Sequence, residues 1–289
     1  MTDQLWRTEW PSQNLRVTLV DCSELTKKLV TDHGAKGWMS IFYAKALSAG
    51  VLVSPMLIDD ERYTLRWQYE GELKTITVDV GSEGVVRGYP DQLEIQANSL
   101  EEIFGLGGKV GTVKSNQHRR LNSGMTLADR CDIAMDLATC FTISDQIPTT
   151  ILIDVKTQPW QTRGWMIQAL PEVSFDEFED LRKIFESEEA IEHFSKLESM
   201  EPEHVEALLK GLGFPEHNTK LLVHQKLVPN SFCECNRNKI VNVLLSLPID
   251  ELEDMIESDG GAQIDCQFCS TCYQFDAQDL RKIIDGKQS

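Results

Sequence analysis

Four cysteines limit what this chain can fold into more than any other feature. They run Cys233-Glu234-Cys235, then 30 residues (236–265), then Cys266-Gln267-Phe268-Cys269. Two close pairs on separate turns can converge on one tetrahedral zinc, which takes four thiolates at about 2.3 Å. Four thiolates leave no open coordination position, so the expected role of one Zn2+ per chain is structural rather than Lewis-acid catalysis. The chain holds eight cysteines, and five of them fall in its last quarter. Its start, Met1-Thr2-Asp3-Gln4-Leu5-Trp6-Arg7, lacks a basic segment followed by an apolar run, so no signal peptide is expected. A reducing cytoplasm is the expected compartment, and there a cysteine cluster reads as metal-binding or redox-active rather than as fixed disulfides.

The spacing carries more than a clip. A plain zinc ribbon has a two-residue gap in both pairs, whereas the first pair here has one residue between its cysteines. Cα atoms two residues apart in an extended chain come close enough for a strained disulfide. Both pairs can therefore oxidise internally, which would remove the ligands and release the metal. A permanent zinc clip fits the same residues, and the spacing alone leaves both readings open. Cys272 forms a further two-residue gap with Cys269. It can replace a ligand or capture an oxidised neighbour, and the simpler expectation is a spare accessory thiol. Cys22, Cys131 and Cys140 lie in apolar helical contexts and read as buried small hydrophobes. The six histidines show no ligand spacing, and no Ser/His/Asp arrangement suggests an enzyme.

Around this cluster the sequence divides into three parts and an α+β fold. Residues 1–172 read as a mixed sheet-and-helix core. Helices are expected from Cys22 to His33, from about Met39, and from about Thr126 to Ser144. Strands are expected at Tyr63–Tyr69, Leu73–Val80, Val85–Tyr89, around Val110–Val113, Ile151–Val155 and Gly164–Leu170. Strands grouped early, without a helix after each, favour α+β over a doubly wound sheet. Gly37 to Ile58 is the most apolar stretch, but Lys45 and Pro55 interrupt it, so it reads as a buried helix and not a membrane span.

Residues 173–229 are acidic and carry narrow apolar stripes: Phe175/Phe178/Leu181, Ile191/Phe194 and Val205/Leu208/Leu209/Leu212. Ser174 with Glu177 matches a capping box. Pro202, Gly211, Gly213 and Pro215 cut the segment into short helices, which are marginal alone and depend on docking. Two readings fit it equally: an ordinary helical subdomain, and a metastable helical linker expected to lean on the metal module beside it. Residues 230–289 form that module: a helix over Asn236–Leu247, another over Ile249–Ser258 ending at Gly260-Gly261, a hairpin holding the second cysteine pair, and a last helix after Asp276. Zinc can contribute on the order of 10 kcal/mol to folding such a unit.

The net charge of -18 repels phosphate backbones and anionic membrane surfaces, so neither nucleic acid nor membrane is an expected partner. His118-Arg119-Arg120, the one basic cluster, reads as a solvated loop before the helix near Leu127.

With these residues assembled, the chain resembles the redox-regulated heat-shock protein 33 chaperone family along nearly its whole length. The resemblance is carried by the C-x-C and C-x-x-C pairs and by Glu257-Ser258-Asp259-Gly260-Gly261 between them. Asp60-Glu61-Arg62-Tyr63-Thr64-Leu65, Val86-Arg87-Gly88-Tyr89 and Ser144-Asp145-Gln146-Ile147-Pro148-Thr149 extend it to the first part. The chain departs from the family pattern at Tyr69-Glu70-Gly71-Glu72, where a Gly-Pro turn is usual, and in having Cys272. The resemblance implies an ATP-independent holdase of the bacterial cytoplasm, inactive when reduced and zinc-bound. It implies that hypochlorite, or peroxide with heat, forms Cys233–Cys235 and Cys266–Cys269 disulfides, expels zinc and unfolds module and linker. It implies an oxidised homodimer that binds unfolding client proteins and passes them to ATP-driven chaperones. Two other readings compete: a zinc-ribbon binding module, and a thiol-disulfide oxidoreductase using Cys269 and Cys272. The acidic charge opposes the nucleic-acid form of the first, and the absence of a helix starting at C-x-x-C opposes the second.

Overall fold

The computed structural model describes residues 2–288 and consists of two compact units, Met1–Ser231 and Phe232–Ser289. Both combine sheets and helices, in keeping with the α+β reading. The first unit begins with β1 (Gln4–Trp10), β2 (Leu15–Asp21), α1 (Ser23–His33) and α2 (Gly37–Val53). Next come β3 (Arg62–Tyr69), β4 (Thr75–Gly81), β5 (Val86–Pro90), α3 (Leu100–Phe104), β6 (Gly108–Ser115) and β7 (Arg120–Leu127). Then follow α4 (Ile133–Ser144), β8 (Thr149–Thr157), β9 (Trp160–Ala169), α5 (Phe175–Phe185), α6 (Glu188–Ser195), α7 (Pro202–Gly211) and β10 (Leu222–Leu227).

Two antiparallel five-stranded sheets form, in the orders β10-β1-β2-β9-β8 and β5-β4-β3-β6-β7. The apolar helix α2 packs among both and is buried along almost its whole length, as a helix apolar on nearly every side requires. Of the stretch Gly37–Met56, long and apolar enough to cross a membrane, 78% is buried in this core. Lys45, its one cation, reaches Asp132 at 2.6 Å. Gly50 lets α2 approach the second sheet: a Cβ there would lie 2.8 Å from Val78 Cγ1. The turn at Tyr69–Glu72 is pinned by backbone, since the amides of Glu70, Gly71, Glu72 and Leu73 donate to the carbonyls of Gly107, Phe104, Glu102 and Ile103. A proline at Glu70, Gly71 or Glu72 would forfeit one of those donors.

Several expectations are corrected. Thr126 and Leu127 end a strand, and the helix starts only at Ile133. Asp132 caps it, accepting from the amides of Ala134 and Met135. His118-Arg119-Arg120 lies at the β6–β7 hairpin and not before a helix; Asn116 Oδ1 accepts from the His118 and Arg119 amides there. Cys131 is exposed at φ 52°, outside the helix, whereas Cys22 and Cys140 are buried.

The acidic segment 173–229 belongs to the first compact unit. Its helices form as the capping rules demand: Ser174 Oγ accepts from Glu177 N, and Glu177 Oε2 accepts from Ser174 N at 2.9 Å. Their apolar stripes, expected to lean on the metal module, find their packing partner within the first unit. Phe178, Phe185, Phe194, Val205, Leu208 and Leu209 pack on Trp6, Trp10, Leu15, Val17, Leu19, Trp165 and Ile167, the outer face of the first sheet. That sheet is therefore covered on both faces. This is why β1 and β2 lack a clean alternation of apolar and polar residues and were not predicted. Phe175, at the edge of the stripe, is 56% exposed.

In the second unit, α8 (Arg237–Ser246), α9 (Ile249–Asp259), a hairpin of β11 (Gly261–Asp265) and β12 (Cys272–Asp276), and α10 (Ala277–Gln288) surround a small core. Six side chains are fully buried: Leu244, Leu252, Phe275, Leu280, Ile283 and Ile284. Asp276 caps α10 as expected, accepting from the amides of Gln278 and Asp279.

Candidate metal centre

Cys233 and Cys235 lie in the loop that enters α8, whose N-cap Asn236 accepts from the Lys239 amide. Cys266 and Cys269 lie in the turn joining β11 to β12. Cys266 N donates to Thr271 O at 2.9 Å, Ser270 N to Cys266 O at 2.8 Å, and Ser270 adopts φ 56° to close the turn. Arg237 ties the two halves together. Its guanidinium stacks 4.1 Å from the centre of the Phe275 ring, donates to Gln274 O at 2.7 Å and pairs with Asp279.

These two loops bring all four sulfurs within 4.8 Å of one another. Cys233 Sγ lies 3.7 Å from Cys266 Sγ, and Cys235 Sγ 3.2 Å from Cys269 Sγ. Around a tetrahedral ion with sulfur at 2.3 Å, thiolates sit about 3.8 Å apart. The donor set thus fits one metal ion that prefers soft sulfur ligands. No sulfur pair is at bonding distance, and all eight cysteines are free thiols.

The surroundings distinguish the four thiols. Burial pushes Cys235 up to about 12, against the hydrogen bond it receives from Tyr273 Oη at 3.2 Å. Burial likewise raises Cys266, although the amides of Phe268 and Cys269 pull the other way. For Cys269, burial is outweighed by hydrogen bonds from Thr271 and from the neighbouring thiols, and its value falls to about 7. Cys269 is thus more readily ionised than Cys235 or Cys266, which favours it as a nucleophile.

Cys272 stands apart. Along β12 side chains alternate: Tyr273 faces the cluster, Phe275 the core, and Cys272 is exposed opposite Asp265. Strand alternation turns it away from the other four, so in this fold it does not replace a ligand. Asp265 beside it pushes its thiol up. The Cys269–Cys272 pair begins a strand and not a helix, which removes the dipole that activates an oxidoreductase thiol. Sequence reasoning missed Thr271 and Tyr273; both lie within four residues of Cys269, and polar side chains beside a thiolate turn are the signal that marks them.

Comparison with known proteins places this geometry in context. A family model described as "Hsp33 protein" matches residues 3–276. A protein of Trichodesmium erythraeum named 33 kDa chaperonin is 28% identical, with 100% of this chain and 95% of that protein covered. One of the same name from Thermus thermophilus is 27% identical, over 94% of this chain and 83% of the relative. The crystal structure of a 33 kDa chaperonin, a heat shock protein 33 homologue from Thermotoga maritima, shares the fold with a TM-score of 0.83 at 22% identity, covering 99% of both chains.

Proposed function

Because the chain belongs to the Hsp33 family, we propose that it is a chaperone whose holding of unfolded proteins, without ATP, is switched on by oxidation of its four clustered cysteines. The observation that carries this reading is the convergence of Cys233, Cys235, Cys266 and Cys269 within 4.8 Å. In the reduced state these four hold Zn2+, which keeps the thiolates deprotonated and stabilises the module 230–289. Hypochlorous acid takes two electrons from each pair of thiolates. One disulfide joins Cys233 to Cys235 and another Cys266 to Cys269, and each hypochlorous acid leaves as chloride and hydroxide, which takes a proton from solvent to become water. The ligands are then gone, and the small core of the module does not hold it folded.

Between Cys233 and the linker helices lies β10, paired with β1. Melting of the module frees the chain one strand away from a linker of three short helices. Undocking of that linker, the segment 173–229, uncovers the Trp6, Trp10, Leu19 and Trp165 face of the first sheet and the linker's own stripes. Exposed apolar surface captures unfolding chains, while the charge of -18 keeps the opened protein in solution. A homodimer of the oxidised form in the bacterial cytoplasm, with ATP-driven chaperones downstream, completes the reading; no catalytic turnover is involved.

The test measures bound zinc, free thiols and suppression of aggregation of a heat-sensitive protein on the same sample, before and after hypochlorite. The expected result is loss of about one zinc and four thiols together with the appearance of suppression. An oxidised chain that loses zinc but never prevents aggregation would sink the reading.

A further inference from the structure

A buried guanidinium lies where the linker turns from α6 to α7. Arg163 of β9 is 3% exposed and pairs through Nε with Asp21 Oδ2 of β2, its register partner, at 2.9 Å. Its two terminal nitrogens point out of the sheet. Nη1 donates to Leu197 O at 2.6 Å and Nη2 to Glu198 O at 2.7 Å. Lys156 of β8 donates to Ser195 O, the last residue of α6, at 2.5 Å. One carbonyl at the end of α6 and two in the turn that follows it are thus met by two cations from the sheet.

We propose that Lys156 and Arg163 form a cationic clamp that keeps the linker closed by gripping the last carbonyl of α6 and the turn that leads from it towards α7. The last carbonyls of a helix have no partner within it and carry its partial negative charge, which favours Lys156 at Ser195 O; Leu197 O and Glu198 O lie in the turn beyond the helix, where Arg163 meets them as backbone acceptors. The aromatic contacts beneath the linker are non-directional and tolerate sliding. Charged hydrogen bonds to named carbonyls fix which turn sits where. The clamp also acts only in the closed state. A buried guanidinium has five donors; in the sheet it meets the Asp21 carboxylate and the side-chain amide oxygen of Gln161, 2.9 Å from Nη2 with that amide oriented towards it, and the linker backbone supplies the remaining acceptors. When the linker leaves, water must replace them. Neither cation touches a cysteine, so the clamp sets the threshold for linker release independently of the thiols. Its role as an autoinhibitory contact rests on the chaperone reading above; its role as the linker's anchor does not.

The test uses the full, reduced, zinc-loaded chain. Arg163→Met combined with Asp21→Asn removes the guanidinium and its carboxylate together, leaving no uncompensated buried charge. Lys156→Ala removes the more exposed half and decides the matter if the first variant fails to fold. Hydrogen exchange of the amides in α6 and α7 should quicken by about tenfold or more, with β3, β4 and β6 unchanged and zinc still bound. Exchange in α6 and α7 at the wild-type rate, or quickened only in step with β3, β4 and β6, overturns the clamp. A variant that opens the linker with zinc bound yet never suppresses aggregation leaves the clamp standing and defeats the chaperone reading instead.

Discussion

Removing zinc without oxidising a single thiol isolates the contribution of the metal. Among the described residues of the second unit, 232–289, six apolar side chains are buried, and a core of that size does not stabilise such a unit by itself. Zinc held by four thiolates contributes on the order of 10 kcal/mol, comparable with the whole net stability of a typical domain, about 5–15 kcal/mol. Its loss shifts the folding constant by roughly seven powers of ten, enough to unfold the module even if its other interactions left it well above zero. The first unit has its own core around α2 and keeps its fold. The assay is hydrogen exchange on the reduced chain, with reductant present, before and after a strong chelator. Amides of α8, α9 and α10 should lose essentially all protection, those of β2, β3 and β9 should keep theirs, and added zinc should restore the first set. Persistence of wild-type protection in α8–α10 without metal would refute the argument that the metal, and not the apolar core, holds this unit together.

Other outcomes follow from single contacts. Cys266→Ser should abolish stoichiometric zinc binding whereas Cys272→Ser should leave it intact, because Cys272 faces away from the other four; zinc content by metal analysis reads both. Tyr273→Phe deletes the hydroxyl that donates to Cys235 Sγ at 3.2 Å. With that hydrogen bond gone, the zinc-bound thiolate is more nucleophilic, and zinc release under limiting hypochlorite should speed up; an unchanged rate counts against the contact. Phe185→Ala empties a site 1% exposed between Trp10, Trp165 and Phe214. It should cost about 3–5 kcal/mol, seen as binding of an apolar dye to the reduced protein and a change in tryptophan emission, and a silent substitution would mean that the linker is not held by this cluster.

What the sequence determined by itself is local. Cysteine spacing named the four sulfurs that converge, because two turns of fixed length leave few ways to place their side chains. The capping box at Ser174 and Glu177, the N-cap at Asp276 and the breaks at Pro202 and Gly260 were legible because each involves residues within four positions of one another. Patterns spoiled by long-range packing were not. β1 and β2 are buried on both faces, so they carry apolar residues on both sides and lose the alternation that marks a strand. β10 pairs with β1 across more than two hundred residues, and no local signal announces such a partner. The same holds for the linker. Its sequence said that the short helices must dock, and its stripes said which side chains do so. Only the tertiary structure decided that they dock on the first sheet, with Lys156 holding the end of α6 and Arg163 the turn after it. An apolar stripe specifies how much surface must be buried, not which of several apolar faces will bury it, and a lone arginine in a strand does not reveal which carbonyls it will meet.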